Sequence, residues 1–427
     1  MKKSSLIGHT VELYQEILSS TKPPDHLSDL FFRARKYLGS KDRRFIAESV
    51  YGMLRKKRLL EWLIGNVPEE QRALYTCVAY LLVQNAETTE NLIHDANIEE
   101  SVVYSMSGKI GSHEFETAVN GSIGLKHSFP DWMVTEWEKE MAHDELEKLL
   151  TALNTQAPIT IRVNTLKISV EECQRELKRE NIETERTLLS PTGLHFQKRT
   201  NVFQLQSFQK GYFEVQDEGS QLLSLLVDPK PGSRVVDACA GAGGKSLAMG
   251  AGMRNTGEIF ALDLHSRRLD DLRKRIKRSG IDMIRIRPMR EGQGFPDLEQ
   301  SADHVLVDAP CSGTGTIRRN PGMKWSVSPS MIDAMHAKQL SIVMFNARYV
   351  KPGGRLVYAT CSLMRHENED VVESFLASRH DFERVSPSPI LERNNLANVT
   401  DNEYFKLYPH RHNTDGFFAS IMKRKTD

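Results

Sequence analysis

Two cysteines, Cys311 and Cys361, stand fifty residues apart in this chain of 427. The first lies in Asp308-Ala-Pro-Cys-Ser-Gly-Thr-Gly315 and the second in Tyr358-Ala-Thr-Cys-Ser362. Upstream, the apolar run at 235–236 leads into Asp237-Ala-Cys-Ala-Gly-Ala-Gly-Gly-Lys-Ser246. Glycine lets backbone approach a ligand where a Cβ would clash, and a helix starting there offers unpaired N–H groups. The segment is not a P-loop, because GxxxxGK[ST] is absent, and Gly241, Gly243 and Gly244 do not follow GxGxxG spacing. Asp263 closes the next apolar run, where a carboxylate can accept hydrogen bonds from ribose hydroxyls. A nucleoside-type cofactor site followed by two thiols points to covalent chemistry on a bound substrate.

A free cysteine is more often a small core hydrophobe than a nucleophile, so placement must separate the two. Strands are predicted at 234–238, 258–262, 283–286, 304–307, 355–359 and 417–422, with helices between them at 266–279 and 328–350. The alternation implies an α/β domain with a largely parallel sheet covered by helices on both faces. Cys311 and Cys361 then fall just beyond the carboxyl ends of two strands, the edge at which open α/β sheets bind ligands. Asp308 stands at the mouth of the first thiol loop. Cys77 and Cys173 lack this setting and are expected in cores, and Cys239 is expected to pack beneath the cofactor. The charged stretch 267–278 is expected to be a solvated helix face.

Before residue 219 the pattern differs. Residues 1–150 carry apolar positions at helical spacing, with a helix expected at 133–153, and predict an all-helical domain. Residues 151–218 mix strand-like runs at 159–163, 193–196 and 212–215 with a helix at 170–180, and predict a small α+β module. Residues 219–427 form the α/β domain.

The chain has a formal net charge of +1, so bulk charge says nothing about nucleic acid. Its distribution is uneven. Residues 1–60 carry 13 Lys and Arg against 6 Asp and Glu, whereas residues 61–150 carry 5 against 17. A basic head fits a surface presented to a polyanion. Five scattered cysteines make neither a disulfide framework nor a zinc pattern. They imply free thiols in a reducing compartment. With no signal-like start and no long apolar run, a cytoplasmic protein without metal or membrane partner is expected.

Five motifs then carry a resemblance. Asp-Ala-Cys-Ala-Gly-Ala-Gly-Gly-Lys245, the Cys311 and Cys361 motifs, Arg318-Arg-Asn-Pro-Gly-Met-Lys-Trp325 and the Leu407-Tyr-Pro-His and Asp415-Gly-Phe-Phe418 stretches resemble, in order, those of the Nop/Sun family of RNA (cytosine-5) methyltransferases. Arg162-Val-Asn164 and Val215-Gln-Asp-Glu218 extend the match, and the helical head resembles the NusB-like domain of the bacterial RsmB type. The resemblance implies a Rossmann-like S-adenosylmethionine-dependent methyltransferase acting on RNA, specifically 16S rRNA. It implies Cys361 as the nucleophile toward cytosine carbon-6, Cys311 as the group that assists product release, Asp308 as a hydrogen-bond partner of the base, and Lys245 nearby. It places Cys239, Ala240, Gly241, Ala242, Gly243, Gly244, Lys245, Asp263 and Asp308 around S-adenosylmethionine. Three positions depart from the family pattern: Ala242 replaces a proline, Met289 stands where an adenine-site aspartate is usual, and Gly322 replaces an aspartate.

Arg33, Arg35, Lys36, Arg43 and Arg44 in the head, interleaved with Phe31, Phe32 and Tyr37, are expected to supply phosphate contacts, the aromatics being more simply core. Arg318, Arg319 and Lys324 follow Cys311 closely and are expected to hold the flipped target nucleotide. A tRNA substrate, or a weakly active RNA-binding assembly factor, are the alternatives. DNA cytosine-5 methylation is disfavoured, because those enzymes place the nucleophile in the Pro-Cys motif. A monomer is expected.

Overall fold

The computed structural model describes the chain except residues 21, 397, 398, 400–402 and 427. It divides into two units. One comprises Met1–Gln156 and Ile317–Ser328, and the other Ala157–Thr316 and Pro329–Asp427.

The first unit is helical. Its longest helix, Ser40–Ile64, carries Ile46, Val50, Met53, Leu60 and Leu63 at helical spacing, all buried. They pack with Leu13, Tyr14, Cys77, Val78 and Leu81 of Lys3–Leu18 and Glu69–Val83 into one apolar cluster. The helix expected at 133–153 is broken into Asp131–Glu138 and His143–Leu153, with Ala142 extended between them. Trp137 and Leu146 are both buried. Nine residues at about 100° each would put them on opposite faces of a continuous helix, so the break lets both reach the core.

The second unit holds two sheets. In the smaller, β1 (Thr160–Val163), β2 (Thr184–Arg186), β3 (Gly193–Phe196) and β4 (Phe213–Val215) form an antiparallel sheet in the order β2-β3-β1-β4. The helix Val170–Arg179 packs on it, begun by a capping box in which Ser169 and Glu172 exchange hydrogen bonds of 3.2 and 3.1 Å.

The larger sheet contains β5 (Arg234–Asp237), β6 (Glu258–Asp263), β7 (Ile284–Pro288), β8 (Ala302–Asp308), β9 (Val350–Thr360), β10 (Phe382–Val385), β11 (Phe405–Leu407) and β12 (Phe417–Arg424). Its order is β10-β12-β9-β8-β5-β6-β7, with β11 paired to β12. β5 to β9 are mutually parallel, whereas β12 runs antiparallel to β9 and to β10. This is the largely parallel, helix-covered sheet that the strand–helix alternation predicts and the Rossmann-like fold that the resemblance implies. Alternate strand residues supply opposite cores. Val235, Leu306 and Val357 face the helices Glu218–Val227, Gly244–Gly252 and Ser266–Ser279, while Val236, Val305, Leu356 and Tyr358 face Pro329–Asn346 and Glu369–Ser378. The chain order reverses between β5 and β8, and that switch point opens a crevice beyond the strands' carboxyl ends.

The expected helix 328–350 stops at Asn346, because Val350 already pairs with Ala302 at the start of β9. Among the described residues no helix is long and apolar enough to cross a membrane.

Candidate active site

β5 runs into the glycine loop at Asp237. Gly241 and Gly243 have φ of +55° and +78°, the left-handed region that favours glycine. Gly243 N donates to Ala240 O at 2.8 Å, and a Cβ on Gly243 would lie 2.1 Å from Leu272 Cδ1, so only glycine fits. Gly241 differs, because nothing lies within 4 Å of its Cβ position. The loop is tight behind Gly243 and open at Gly241, which leaves the cradle that a ligand's backbone contacts require.

Asp263 ends β6 and braces this loop. Its carboxylate accepts Gly241 N at 2.8 Å and His265 N at 2.6 Å. Beneath the loop, Ser246 Oγ donates to Asp237 at 2.6 Å, and burial pushes the Asp237 carboxyl up to about 6. A depression of about 830 Å³ beyond β6 and β7 is lined by Leu264, Ser266, Pro288, Met289 and Arg290 among others. Met289 is thus an apolar wall of that depression. Cys239 is half-buried beside the loop, and burial holds its thiol well above the ordinary value.

The small sheet supports the loop from the other side. Arg275 Nη1 donates to Ala242 O at 2.9 Å, and its Nε donates to Glu214 at 3.0 Å. Arg278 adds two bonds of 2.6 and 2.7 Å to the same buried Glu214. The charged stretch 267–278 is therefore not wholly a solvated face: Arg275 and Arg278 turn inward, while Arg273 and Lys274 stay exposed beside Asp270 and Asp271. Asn164 Nδ2 bridges Gly211 O and Ser279 O at 3.0 and 2.9 Å, and Arg162 Nε reaches Gln216 at 2.7 Å.

The two thiols meet at the carboxyl ends of β8 and β9. Cys311 Sγ lies 3.4 Å from Cys361 Sγ. The backbones close around them: Gly315 N donates to Cys361 O at 2.9 Å and Gly416 N to Gly315 O at 2.8 Å. A Cβ on Gly315 would fall 2.2 Å from Gly416 O, so this crossing also needs glycine. Lys245 Nζ donates to Asp308 at 2.6 Å, joining the glycine helix to the mouth of the Cys311 loop. Burial works against the Lys245 ammonium, but the Asp308 carboxylate outweighs it and the pKa rises. Its hydrogen bond to Cys361, then burial, then the charges of Cys361 and Glu367 push the Cys311 thiol well up. Residues 239–245, Asp263, Asp308, Cys311 and Cys361 thus converge on one sheet edge. Glu367, which sequence reasoning did not single out, is fully buried beside both thiol loops.

The expected nucleotide contacts divide differently. Lys324 is fully buried in the helical unit. Its Nζ donates to Arg55 O, Ser128 O and Asn154 Oδ1 at 2.7, 2.8 and 2.9 Å and sits 4.1 Å from the Phe129 ring. Burial, then Arg55, pulls its pKa well below the usual lysine value. It cannot reach a nucleotide, because every proton it donates is spent on the protein. Arg318 is also buried, donating to Gln156 O at 3.4 Å, whereas Arg319 is exposed. Trp325 Nε1 donates to Leu54 O at 2.7 Å. The segment 317–328, expected in the catalytic domain, is an anchor of the helical unit. Gly322 backs onto Pro24, whose Cγ would be 3.2 Å from a Cβ there. An aspartate at that position would crowd the ring.

In the head, Arg33 and Arg44 are exposed and pair locally with Asp29 and Glu48, and Lys36 is exposed. Arg35 lies over the Phe31 ring and pairs with Glu12, and Arg43 Nε donates to Leu38 O at 2.9 Å. Phe31 is core, while Tyr37 is 65% exposed. Among the described residues no cluster of three or more His, Cys, Asp or Glu is placed to hold a metal ion.

The sequence and the fold have counterparts among known proteins. The family model for the 16S rRNA methyltransferase RsmB/F matches residues 224–423. A model for the ferredoxin-like domain of RsmF/B-like methyltransferases matches residues 129–203. A probable ribosomal RNA small subunit methyltransferase B of Bacillus subtilis is 31% identical over 416 residues, covering 91% of this chain and 92% of that one. The crystal structure of PH0851 superposes with a TM-score of 0.78 at 27% identity over 99% of both chains. NSun6 from Pyrococcus horikoshii, solved with SFG, has a TM-score of 0.60 at 22% identity over 70% of this chain and 99% of that one.

Proposed function

We propose a cytosine carbon-5 methylation for this chain, which belongs to the RsmB/F family of S-adenosylmethionine-dependent 16S rRNA methyltransferases. The observation that carries the finer reading is the pair of thiols 3.4 Å apart at the carboxyl ends of adjacent strands, beside the Lys245–Asp308 pair. One thiol would suffice for attack. Two at one edge fit a reaction in which attack and release are separate tasks.

The cofactor fits the residues present. Backbone of residues 239–244 would cradle it at the open side of Gly241, with Asp263 and Asp308 at its polar groups and Met289 against its base. S-adenosylmethionine supplies an electrophilic methyl group. Carbon-5 of cytosine is a poor nucleophile until a thiolate adds to carbon-6. Cys361 would form that carbon–sulfur bond, and the electron pair so shifted to carbon-5 would take the methyl group, with S-adenosylhomocysteine as the leaving group. Asp308, bonded to Lys245, hydrogen-bonds the ring and favours its protonated form. Transfer of the carbon-5 proton to solvent, with Cys311 assisting, would then restore the double bond and expel Cys361 as thiolate. Positioned acid–base groups of this kind are worth about 10²–10⁴-fold. The substrate is 16S rRNA by the family, the exposed basic side chains of the head fit a polyanion, and the reaction is cytoplasmic.

Labelled S-adenosylmethionine and separate 16S rRNA, tRNA and DNA pools test this. Label is expected in 16S rRNA as 5-methylcytosine. Cys361→Ala should abolish transfer, and Cys311→Ala should accumulate a protein–RNA adduct that survives denaturant. Transfer by Cys361→Ala would disprove the choice of nucleophile, and label in tRNA alone would disprove the substrate.

A further inference from the structure

We propose that Glu367 is the positioning residue that holds the Cys311 and Cys361 loops at their working separation. The proposal rests on the two-thiol reaction above and deepens it. Glu367 ends the short turn Arg365–Glu367 that follows the Cys361 motif, and its side chain is fully buried. Its Oε1 accepts Ser312 N at 2.8 Å and Gln339 Nε2 at 3.0 Å. Its Oε2 accepts the hydroxyls of both Ser312 and Ser362. Ser312 is the neighbour of Cys311, and Ser362 is the neighbour of Cys361. One carboxylate therefore grips the residue next to each thiol.

Companion bonds close the clamp. Thr314 Oγ1 lies 3.1 Å from Ser362 Oγ and accepts Leu363 N at 2.9 Å. Asn368 Nδ2 donates to Ser362 O at 3.0 Å, and its Oδ1 accepts Thr360 Oγ1. Gln339 also reaches Pro310 O at 3.0 Å, binding the Cys311 loop from the helix Pro329–Asn346. Burying a carboxylate is costly unless its lone pairs are filled, and a hydrophobic side chain would fill the space more cheaply. Four converging donors are what a carboxylate gathers and an apolar group cannot. Its charge also bears on the thiols, since it helps keep Cys311 protonated while Cys361 attacks.

The test uses the full chain with Glu367→Ala, Glu367→Gln and the Ser312→Ala/Ser362→Ala double variant. Dibromobimane, which fluoresces once it has alkylated two neighbouring thiols, reports their separation without any turnover, and Cys311→Ser is its blank. Bridging is expected to slow about tenfold or more in Glu367→Ala and in the double variant. Turnover should fall about 10²-fold, the usual consequence of a misplacement near 1 Å. KM for RNA and for S-adenosylmethionine should stay near wild type. Glu367→Gln keeps the volume and one acceptor oxygen, so it should recover part of both signals, and it carries the test if Glu367→Ala does not fold. Variants that bridge as wild type would overturn the clamp, whatever their turnover. A wild-type chain that bridges but transfers no methyl group, with variants that bridge slowly, would sink the reaction and support the clamp.

Discussion

Asp237 sits under the glycine loop with its carboxyl fully buried and one serine hydroxyl as partner. Burial, partly offset by that bond, raises its pKa from 3.8 to about 6. The unfolded chain then releases this proton near 3.8 and the folded chain near 6. Between those values the native state holds more protons, so stability falls as pH rises through the window and is level above it. Asn at this position keeps an acceptor for Ser246 and carries no charge. Asp237→Asn should match wild type below about pH 4 and exceed it by about 2–3 kcal/mol above pH 6, at 1.36 kcal/mol per unit. Urea melts of both proteins across pH 4–8 check this, and a constant difference at all pH values would contradict it. Strand position made Cys311, Cys361 and Asp308 legible as a group at one sheet edge, and the family resemblance added Lys245. Glu367 was not legible. In His366-Glu-Asn-Glu-Asp370 a glutamate reads as the polar start of a helix, and nothing in its type announces full burial.

At the scale of elements, Lys324 shows why charge in sequence is ambiguous. Arg-Arg-Asn-Pro-Gly-Met-Lys-Trp reads as a basic loop following a thiol, yet its lysine caps two backbone carbonyls and an amide inside the helical unit. Carbonyls such as Arg55 O in the helix Ser40–Ile64 and Ser128 O in the turn after Lys126 take donors where water is excluded. A sequence does not say which distant lysine supplies them. Lys324→Ala would leave three acceptors buried without that donor, each costing about 1–3 kcal/mol if nothing replaces it. Loss of stability by about 3 kcal/mol or more is expected in thermal or urea melts, whereas Lys36→Ala, at an exposed position, should leave the melt unchanged. Equal stability of Lys324→Ala and wild type would restore Lys324 as a candidate RNA contact. The sheet, by contrast, was readable almost strand by strand, since buried parallel strands are continuous apolar runs closed by turn residues. The strands missed in that sheet, β10 and β11, are short and lie beyond the parallel core, and β2 of the small sheet, a three-residue strand of polar residues, was missed as well.

For the whole molecule, the two-unit division changes how RNA affinity must be probed. The chain leaves the second unit after Thr316 and returns at Pro329, so the helical unit is built from two separated stretches. Deleting the head would strip Lys324 and Trp325 of the Arg55, Ser128, Asn154 and Leu54 partners they bond. A buried ammonium and an indole would be exposed at once, and weaker RNA binding by such a truncation would report damage as much as lost contacts. Point changes avoid this. Arg33, Lys36 and Arg44 are exposed, and the Arg33–Asp29 and Arg44–Glu48 pairs are surface i,i+4 bridges whose loss is nearly neutral for folding. Each phosphate neutralised by such a side chain contributes about 0.7–0.9 to the slope of log affinity against log salt. The triple variant Arg33→Ala/Lys36→Ala/Arg44→Ala should therefore melt as wild type and bind 16S rRNA with a slope shallower by about 2. Its affinity loss should be greatest at low salt and should fade as salt rises, because the wild type loses counterion release faster. A slope equal to wild type, measured by titration across a range of salt concentrations, would place the polyanion contacts elsewhere on the chain and leave the basic head as a solvated helix surface.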